Sequence, residues 1–406
     1  MRGAVGGGAN LLALRSHNTA LVLDLLRTAG AEGISRLELA ERTGLTPQAV
    51  SKITARLRGK GLAAEAGRRA STGGKPRTVL RLVPDAGHAL GVHLDRDELR
   101  AVLVDLDGTV VGERRAALDL GAGAETVVEE VARAAEALAS ERLGAPADDD
   151  PRSPAADDPQ SAPVGESPPP RPPDRVLAAL PTLLGLGVAL PGPLDHVRGV
   201  LHRVTGFPEW DGFPLRDALA RRLGVPVVVD KDTNAAALGL AVGGEGGGEG
   251  GSFAFLHLGT GLGAGLVFGG GVHRGARTGA GEFGHQVVQL DGPRCTCGAR
   301  GCIEALCLAA VARGDLGEAA RVLGAGAANL AGLLDIDLVL LGGRTVAAAP
   351  EAFVHGVGAV LDARARREGG HDGAVPVRIA PGGTRAVAEG AAQLLLAPLF
   401  GRENGG

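Results

Sequence analysis

The chain has 406 residues, 45% hydrophobic and 22% charged, with a formal net charge of −4. That length suits two or three domains with buried cores, and the composition excludes a fibrous or wholly disordered protein. Eight Phe and one Trp leave too little ring surface for stacking single-stranded nucleic acid, and four cysteines, three of them within 295–302, do not make a secreted disulfide scaffold. The thiols read instead as metal ligands in a reducing cytoplasm. The apolar stretch 11–14 is too short for a signal-peptide core. The apolar run 176–194 is broken by Pro181, Gly185, Gly187, Pro191, Gly192 and Pro193, which predicts a short helix, a buried strand and a turn rather than a membrane span. A soluble, cytoplasmic protein is expected.

Charge divides the chain. Residues 1–83 hold 11 Arg and 3 Lys against five acids, a net of +9, whereas the remainder nets −13. A basic terminal unit on an acidic body fits an electrostatic footprint for phosphate; the alternative is a solvated basic tail. The pattern favours a folded unit. Leu21, Val22, Leu25 and Leu26 recur at helical spacing over 17–28. Ser35-Arg-Leu-Glu38 opens a second helix as a capping box, running to Thr43. Gly44-Leu45 then turns the chain into a third helix, N-capped by Thr46, begun by Pro47 and reaching about Arg58. Residues 61–83 predict two short strands around the glycine-rich, basic tip 67–77. The whole is a winged helix-turn-helix over 1–83.

In this architecture the third helix lies in the major groove of duplex DNA, where its first turns reach base edges. Gln48, Ser51 and Lys52 are the candidate readers, with Thr46 at the helix start. Arg56, Arg58, Arg68, Arg69, Lys75 and Arg77 suit phosphate or minor-groove contacts, which add affinity rather than sequence information. The alternative for Gln48 and Ser51 is a merely exposed helix face.

In the body, residues 84–406, strands at 89–94 and 99–105, a third after the Asp107-Gly108 turn, and a helix over 125–143 predict a mixed-sheet α/β lobe. Residues 144–175, dominated by Pro, Asp, Ala and Ser, cannot bury enough apolar surface to offset ordering entropy and are expected as a disordered insertion. Residues 243–251 are expected as a flexible glycine loop. Strands at 225–229, 252–258, 262–268 and 336–341, with helices at 235–242, 319–334, 353–367 and 385–396, complete a second lobe. Two lobes imply a cleft.

His285, Cys295, Cys297 and Cys302 are the sharpest chemical signal. One imidazole and three thiolates complete a tetrahedral zinc shell, and a closed shell leaves no position for an activated water, so Zn2+ is expected to be structural. Cys307 falls on the following helix as a packing residue. Gly259-Thr-Gly-Leu-Gly263 follows a strand and suits either a phosphate cradle, with Gly259, Thr260, Gly261 and Gly263 as its members, or a glycine-rich hairpin. Asp232 suits a general base toward a sugar hydroxyl, or a cap for the helix beginning there. Glu282, His285 and Glu304, tied together by the knuckle, suit a polyhydroxylated ligand; alternatively they stabilise the knuckle itself.

Gly281-Glu-Phe-Gly-His285 followed by Cys295-Thr-Cys-Gly-Ala-Arg-Gly-Cys-Ile-Glu304 resembles the signature of the ROK (repressor, open reading frame, kinase) family. Pro191-Gly-Pro-Leu-Asp195, Asp230-Lys-Asp-Thr-Asn-Ala-Ala-Ala237, 259–265 and Leu340-Leu-Gly-Gly343 match its other segments in order. The resemblance implies an α/β, actin-like (ribonuclease H-like), two-lobed body of sugar-kinase type behind the winged helix. It further implies zinc on His285 and the three cysteines, sugar contacts from Glu282, His285 and Glu304, and Asp232 at the catalytic-base position. Kinases of the family also carry an Asp-x-Gly-x-Thr phosphate loop in the first hairpin. That place here reads Gly91-Val-His-Leu-Asp-Arg-Asp-Glu-Leu-Arg100, without the glycine or the threonine. The family's Asn before the base is Lys231, and the Asn ahead of the Trp segment is missing from 204–210.

The expectation is a DNA-binding transcriptional regulator, a repressor, whose kinase-like domain is zinc-stabilised, sugar-responsive and non-catalytic because phosphate positioning is lost. Its partners would be a duplex DNA operator and a small carbohydrate, with no membrane, and a homodimer would match palindromic half-sites. The alternative is an ATP-dependent sugar kinase carrying a DNA-binding domain.

Overall fold

The computed structural model describes residues 17–69, 77–144, 176–202, 204, 207–246, 251–369 and 373–402. Helix α1 (His17–Thr28) buries Val22, Leu23 and Leu26. Helix α2 (Arg36–Thr43) starts at the predicted capping box: Ser35 accepts from the Glu38 N–H at 3.3 Å, and the Glu38 carboxylate accepts from the Ser35 N–H at 2.8 Å. Gly44 ends it at φ 69°, a left-handed turn that glycine makes without a Cβ clash. Thr46 then caps α3 (Pro47–Gly59). Strands β1 (Ile34–Ser35), β2 (Ala63–Arg69) and β3 (Arg77–Leu82) form an antiparallel sheet in the order β1-β3-β2. The expected wing is the β2–β3 hairpin; its tip, 70–76, lies outside the described residues, Lys75 included.

The body holds two five-stranded sheets. Antiparallel β4 (His88–Leu94), β5 (Glu98–Asp105) and β6 (Val110–Ala117) are followed by α4 (Ala124–Leu143). Strand β7 (Leu183–Leu190) pairs parallel to β4, and after a small ribbon, β8 (Leu194–Asp195) with β9 (Val200–Leu201), and helix α5 (Leu215–Leu223), strand β10 (Val227–Lys231) pairs parallel to β7. Helix α6 (Asp232–Val242) crosses to the second sheet, ordered β13-β12-β11-β14-β15. There β11 (Phe253–Leu258), β12 (Leu262–Phe268) and β13 (Gly271–Val272) are antiparallel, while β14 (Leu338–Gly342) and β15 (Val377–Ile379) run parallel to β11. Helices α7 (Ile303–Ala312), α8 (Leu316–Leu334), α9 (Arg344–Ala348), α10 (Pro350–Arg367) and α11 (Ala386–Leu396) complete the body.

Several predicted boundaries move: the helices expected at 319–334 and 353–367 begin at Leu316 and Pro350, and the strand expected at 336–341 begins at Leu338; the strand expected at 225–229 also belongs to the first sheet rather than to the second lobe. The strand expected at 225–229 runs from Val227 to Lys231 because its parallel ladder with β7 continues to the Lys231–Leu190 pair, and α6 begins directly after it. Most of the proline-rich insertion, 145–175, and 247–250 of the glycine loop lie outside the described residues.

Helix α11 sits flush on the first sheet. A Cβ at Gly187 would come 1.8 Å from the Ala391 carbonyl, and one at Gly91 would come 2.0 Å from that of Ala388. Its other side meets α6, where a Cβ at Gly390 would lie 1.9 Å from the Ala235 carbonyl. Backbone-to-backbone approach this close is open only to glycine. The same helix reaches the N-terminal region: Val22, Leu23 and Leu26 share one hydrophobic core with Val102, Val104, Leu395, Leu399 and Phe400. Among the described residues no helix is long and apolar enough to cross a membrane.

Candidate functional site

Strands β7 and β10 end side by side, so the Pro191-Gly192 turn and Lys231-Asp232 leave the first sheet at one edge. Facing them across the cleft is the β11–β12 turn of the second sheet. Between them lies a cavity of about 80 Å³, whose walls include Asp232, Glu282, His285 and Glu304. All four expected ligand residues therefore meet in one place, and Thr260, Gly261 and Gly263 line the same cavity. By the measure in which one water needs roughly 10–15 Å³, such a cavity holds a handful of waters or one compact polar molecule.

The glycine segment is a hairpin. Leu258 pairs with Leu262 across the turn, and the Gly259 N–H donates to the Gly261 carbonyl at 2.9 Å. The chain continues into β12 rather than a helix. Asp232 does not cap α6: it is the first helical residue, and its carboxylate accepts from the Thr233 N–H at 2.6 Å. The N-cap is Lys231, whose side chain makes no capping bond.

Glu304, in the first turn of α7, is 7% exposed and accepts from the Leu262 N–H at 2.8 Å, pinning the hairpin. Glu282 is 47% exposed and faces Lys231 Nζ at 3.1 Å. The Lys231 side chain, 3% exposed, also donates to the Ala280 carbonyl at 2.5 Å, so it straps the start of the knuckle to the end of β10. Beneath it Asp230 accepts from Arg274 Nε at 2.7 Å and from the Asn234 amide at 3.0 Å, an enclosed network that holds the loop. Isolated charges at this depth are costly, so the pairing fixes the geometry.

The first hairpin reaches into the same cleft. Asp95 accepts from the Thr260 hydroxyl at 2.5 Å, and Arg344, at the start of α9, binds Asp97 at 2.8 Å and Asp95 at 3.5 Å. Burial pushes the Asp95 carboxyl up, but the Thr260 hydroxyl, the neighbouring His93 and Arg344 outweigh it and hold it below the usual carboxylate value. His93 is buried with His257 edge-on at 6.1 Å; burial first, then the neighbouring imidazole, lowers its pKa to about 4. The sequence reading missed Asp95, His257, Arg344 and the Lys231–Glu282 pair as parts of this site. Only the turn pattern at Leu94-Asp-Arg-Asp97 hinted at the first of them.

At the knuckle, the ligand atoms of His285, Cys295, Cys297 and Cys302 all lie within 4.8 Å of one another. Cys295 Sγ is 3.7 Å from His285 Nδ1, and Cys297 Sγ is 3.7 Å from Cys302 Sγ. Metal–sulfur bonds of about 2.3 Å meeting at tetrahedral angles set neighbouring ligand atoms about 3.7 Å apart, so the donor set fits zinc in both chemistry and spacing. Cys307 is buried apart from this set, its thiol pushed up to about 12 by burial, as suits a packing residue.

On α3, Thr46, Gln48, Ser51 and Lys52 are exposed. Arg56 donates to the Thr19 hydroxyl at 2.5 Å and so ties α3 to α1, and Arg58 pairs with Glu65 of β2 at 3.1 Å. Arg77 is exposed at the start of β3, and Arg68 and Arg69 stand in β2.

Residues 174–312 match the model of the ROK family. A putative xylose repressor of Caldicellulosiruptor sp. (strain Rt8B.4) is 28% identical over 274 residues, 67% of this chain and 59% of that protein. The chain thus spans about six tenths of the length of the curated repressors it matches. A Thermotoga maritima glucokinase is 42% identical over 134 residues, 33% of this chain and 42% of that one. In fold, the crystal structure of a ROK family transcriptional regulator described as a homologue of the Escherichia coli MLC protein superposes with a TM-score of 0.68 at 20% identity, covering 95% of this chain and 97% of that one. Residues 174–312 carry a ROK family domain, and the chain is built in the two-sheet α/β fold of that ROK regulator, behind a helical N-terminal region.

Proposed function

We propose that the chain is a DNA-binding transcriptional regulator, a repressor, in which residues 1–83 bind a duplex operator and residues 84–406 sense a small carbohydrate without phosphorylating it. The observation that carries this reading is the occupied phosphate end of the cleft. Where a kinase of the family has Asp-x-Gly-x-Thr, this chain has His93-Leu-Asp-Arg-Asp97, and two of those side chains are spent on Thr260 and Arg344 of the opposite lobe. Carboxylates at that place repel phosphate, and a buried, neutral imidazole gives magnesium no anionic ligand. In-line transfer then loses its main positioning.

The sugar end keeps its chemistry. Asp232, Glu282 and Glu304 offer acceptors, and His285 completes a donor–acceptor set. Zn2+ held by His285, Cys295, Cys297 and Cys302 would be structural, supplying rigidity to the segment that bears Glu282 and Glu304. Metal on the Nδ1 side of His285, the side nearest the thiols, leaves its Nε2–H to donate toward a sugar hydroxyl. On the N-terminal unit, exposed Gln48, Ser51 and Lys52 suit base edges, and Arg68, Arg69, Lys75 and Arg77 suit the backbone. Two such units in a cytoplasmic homodimer would read a palindrome.

The test is footprinting on the DNA upstream of the chain's own coding sequence, with a panel of pentoses, hexoses and amino sugars added, beside an ATP–magnesium phosphorylation assay on the same panel. The expected outcome is a salt-sensitive footprint shifted by at least one sugar and no turnover above background. Lys75→Ala/Arg77→Ala should flatten the salt slope, since each lost phosphate contact removes released counterions. The glucokinase relatives favour the enzyme as the second reading; sugar phosphate formed at ordinary kinase rates and lost in Asp232→Asn would establish it.

A further inference from the structure

The two sheets of the body touch across the cleft through polar contacts of two kinds. One kind is deep. Asp230, at the end of β10, accepts from Arg274 Nε of the loop after β13, both side chains buried, and Lys231 beside it donates to the Ala280 carbonyl. The other kind is shallow and lies where the β4–β5 turn of the first sheet faces the second. There Arg344 holds Asp97 through both terminal nitrogens, at 2.8 and 3.1 Å, and reaches Asp95 at 3.5 Å, while Asp95 accepts from the Thr260 hydroxyl at 2.5 Å. The Arg344 and Asp97 side chains are 39% and 61% exposed.

These shallow contacts form one unit. The Thr345 hydroxyl donates to the Gly259 carbonyl at 3.4 Å, so the start of α9 and the β11–β12 turn receive the two aspartates together. Asp95 rests directly on that turn: a Cβ at Gly259 would lie 3.8 Å from its Oδ2. The face of the glycine segment that the sequence offers to a phosphate is thus taken by a carboxylate of the chain itself. Its anion does from within what a nucleotide would do from outside, joining the first sheet to the glycine turn of the second.

The cleft behind this contact is nearly shut. Its cavity of about 80 Å³ is far below the roughly 300–1,000 Å³ of sites that enclose small molecules. Entry of a carbohydrate therefore requires the lobes to part, and the two kinds of contact differ in how readily they yield. Breaking the buried Asp230–Arg274 pair leaves charge stranded in the interior, whereas an exposed pair contributes little and is screened by salt. Parting begins at the shallow side.

We propose that Asp95, Asp97, Thr260 and Arg344 form an interlobe latch that holds the cleft closed without nucleotide or sugar, with the Asp230–Arg274 side acting as the hinge. Closure of this kind, with a few contacts giving way while the two lobes stay intact, is a recurrent way for two-lobed proteins to admit ligands. That the latch admits a carbohydrate rests on the sensing role proposed above; the latch itself does not.

The test is hydrogen–deuterium exchange of the full chain, with no ligand added, in the natural protein and in Asp97→Asn, Arg344→Gln, their double variant and Thr260→Val. Segments 231–233 and 257–263, which line the cleft, should exchange roughly two- to fivefold faster in Arg344→Gln, the range that loss of an exposed ion pair supports. Thr260→Val should act in the same direction. The Asp97→Asn/Arg344→Gln double variant should exchange no faster than Arg344→Gln alone, because the two side chains act through each other. Helix α10, which lines no part of the cleft, should be unchanged throughout. Arg344 and Asp97 are surface groups and Thr260→Val is near-isosteric, so a variant that fails to fold leaves the others to decide. Unchanged cleft exchange in both Arg344→Gln and Thr260→Val, equal acceleration in α10, or additive effects in the double variant overturns the latch. No carbohydrate enters the experiment, so the melting shifts and the footprint report separately on the sensing role.

Discussion

His93 carries a pH dependence that its position dictates. Buried beside His257, it takes up a proton only near pH 4, whereas in the unfolded chain it does so near 6.5. Between those values the unfolded chain binds more protons, so the stability is fully present above pH 6.5 and is lost as pH falls toward 4, by up to about 3 kcal/mol. Replacing it in His93→Asn removes the titration. Urea unfolding at pH 7 and pH 5 should therefore show a larger loss for the natural chain than for the variant, and equal losses would mean that His93 is not held neutral by burial. Residues of this kind mark the limit of what the sequence reveals. Asp232, Glu282, His285 and Glu304 were legible because each stands in a dense local pattern. Asp95 with Thr260, or Arg344 with Asp97, are pairings across 165 and 247 residues of chain, and no periodicity encodes them. Lys231 read as a departure from a family pattern, yet its role as a strap to the Ala280 carbonyl needed the folded loop.

At the scale of elements, local chemistry was enough to place the capping box at Ser35 and the Thr46-Pro47 start of α3. Each depends on residues within four positions of one another. The start of α6 was harder, because a parallel ladder with β7 rather than the residues of β10 decides where the strand stops. The knuckle over 281–304 lies between these cases. Its ligand spacing was plain in the sequence, but apart from a turn at Phe283–His285 and isolated bridges it has little regular structure before α7. An element with so few backbone ladders would draw its order from the zinc proposed for it. Chelation should consequently make this segment the first site of proteolytic cleavage, restored to resistance by added zinc, and abolish any sugar-induced melting shift at the same time. A chain purified without chelator that contains no metal and resists protease at the knuckle would contradict this.

Over the whole molecule, the division by charge at residue 83 does not coincide with a division of the core. Leu23 and Leu26 of the basic N-terminal region pack with Val102, Val104, Leu395, Leu399 and Phe400 of the acidic body, and Arg27 covers the Phe400 ring. The partners come from an inner strand of the first sheet, β5, and from the helical turns at 395–400, so sequence distance concealed them. A helix seated this way cannot melt independently without exposing the body's own core, and α11 in turn is locked to β4, β7 and α6 through glycine contacts. The N-terminal region and the body should therefore unfold together, in one calorimetric transition, rather than as two modules on a linker. Phe400→Ala removes a ring that is 4% exposed and lies at the centre of that junction. Truncations of buried Phe cost about 3–5 kcal/mol, and here the loss falls on the contact between the two parts rather than on either interior. The variant should show a new, earlier transition for the N-terminal region while the body melts close to its original temperature. Two separate transitions in the natural chain, or a single uniformly lowered one in Phe400→Ala, would show that the junction does not couple the two parts as its packing implies.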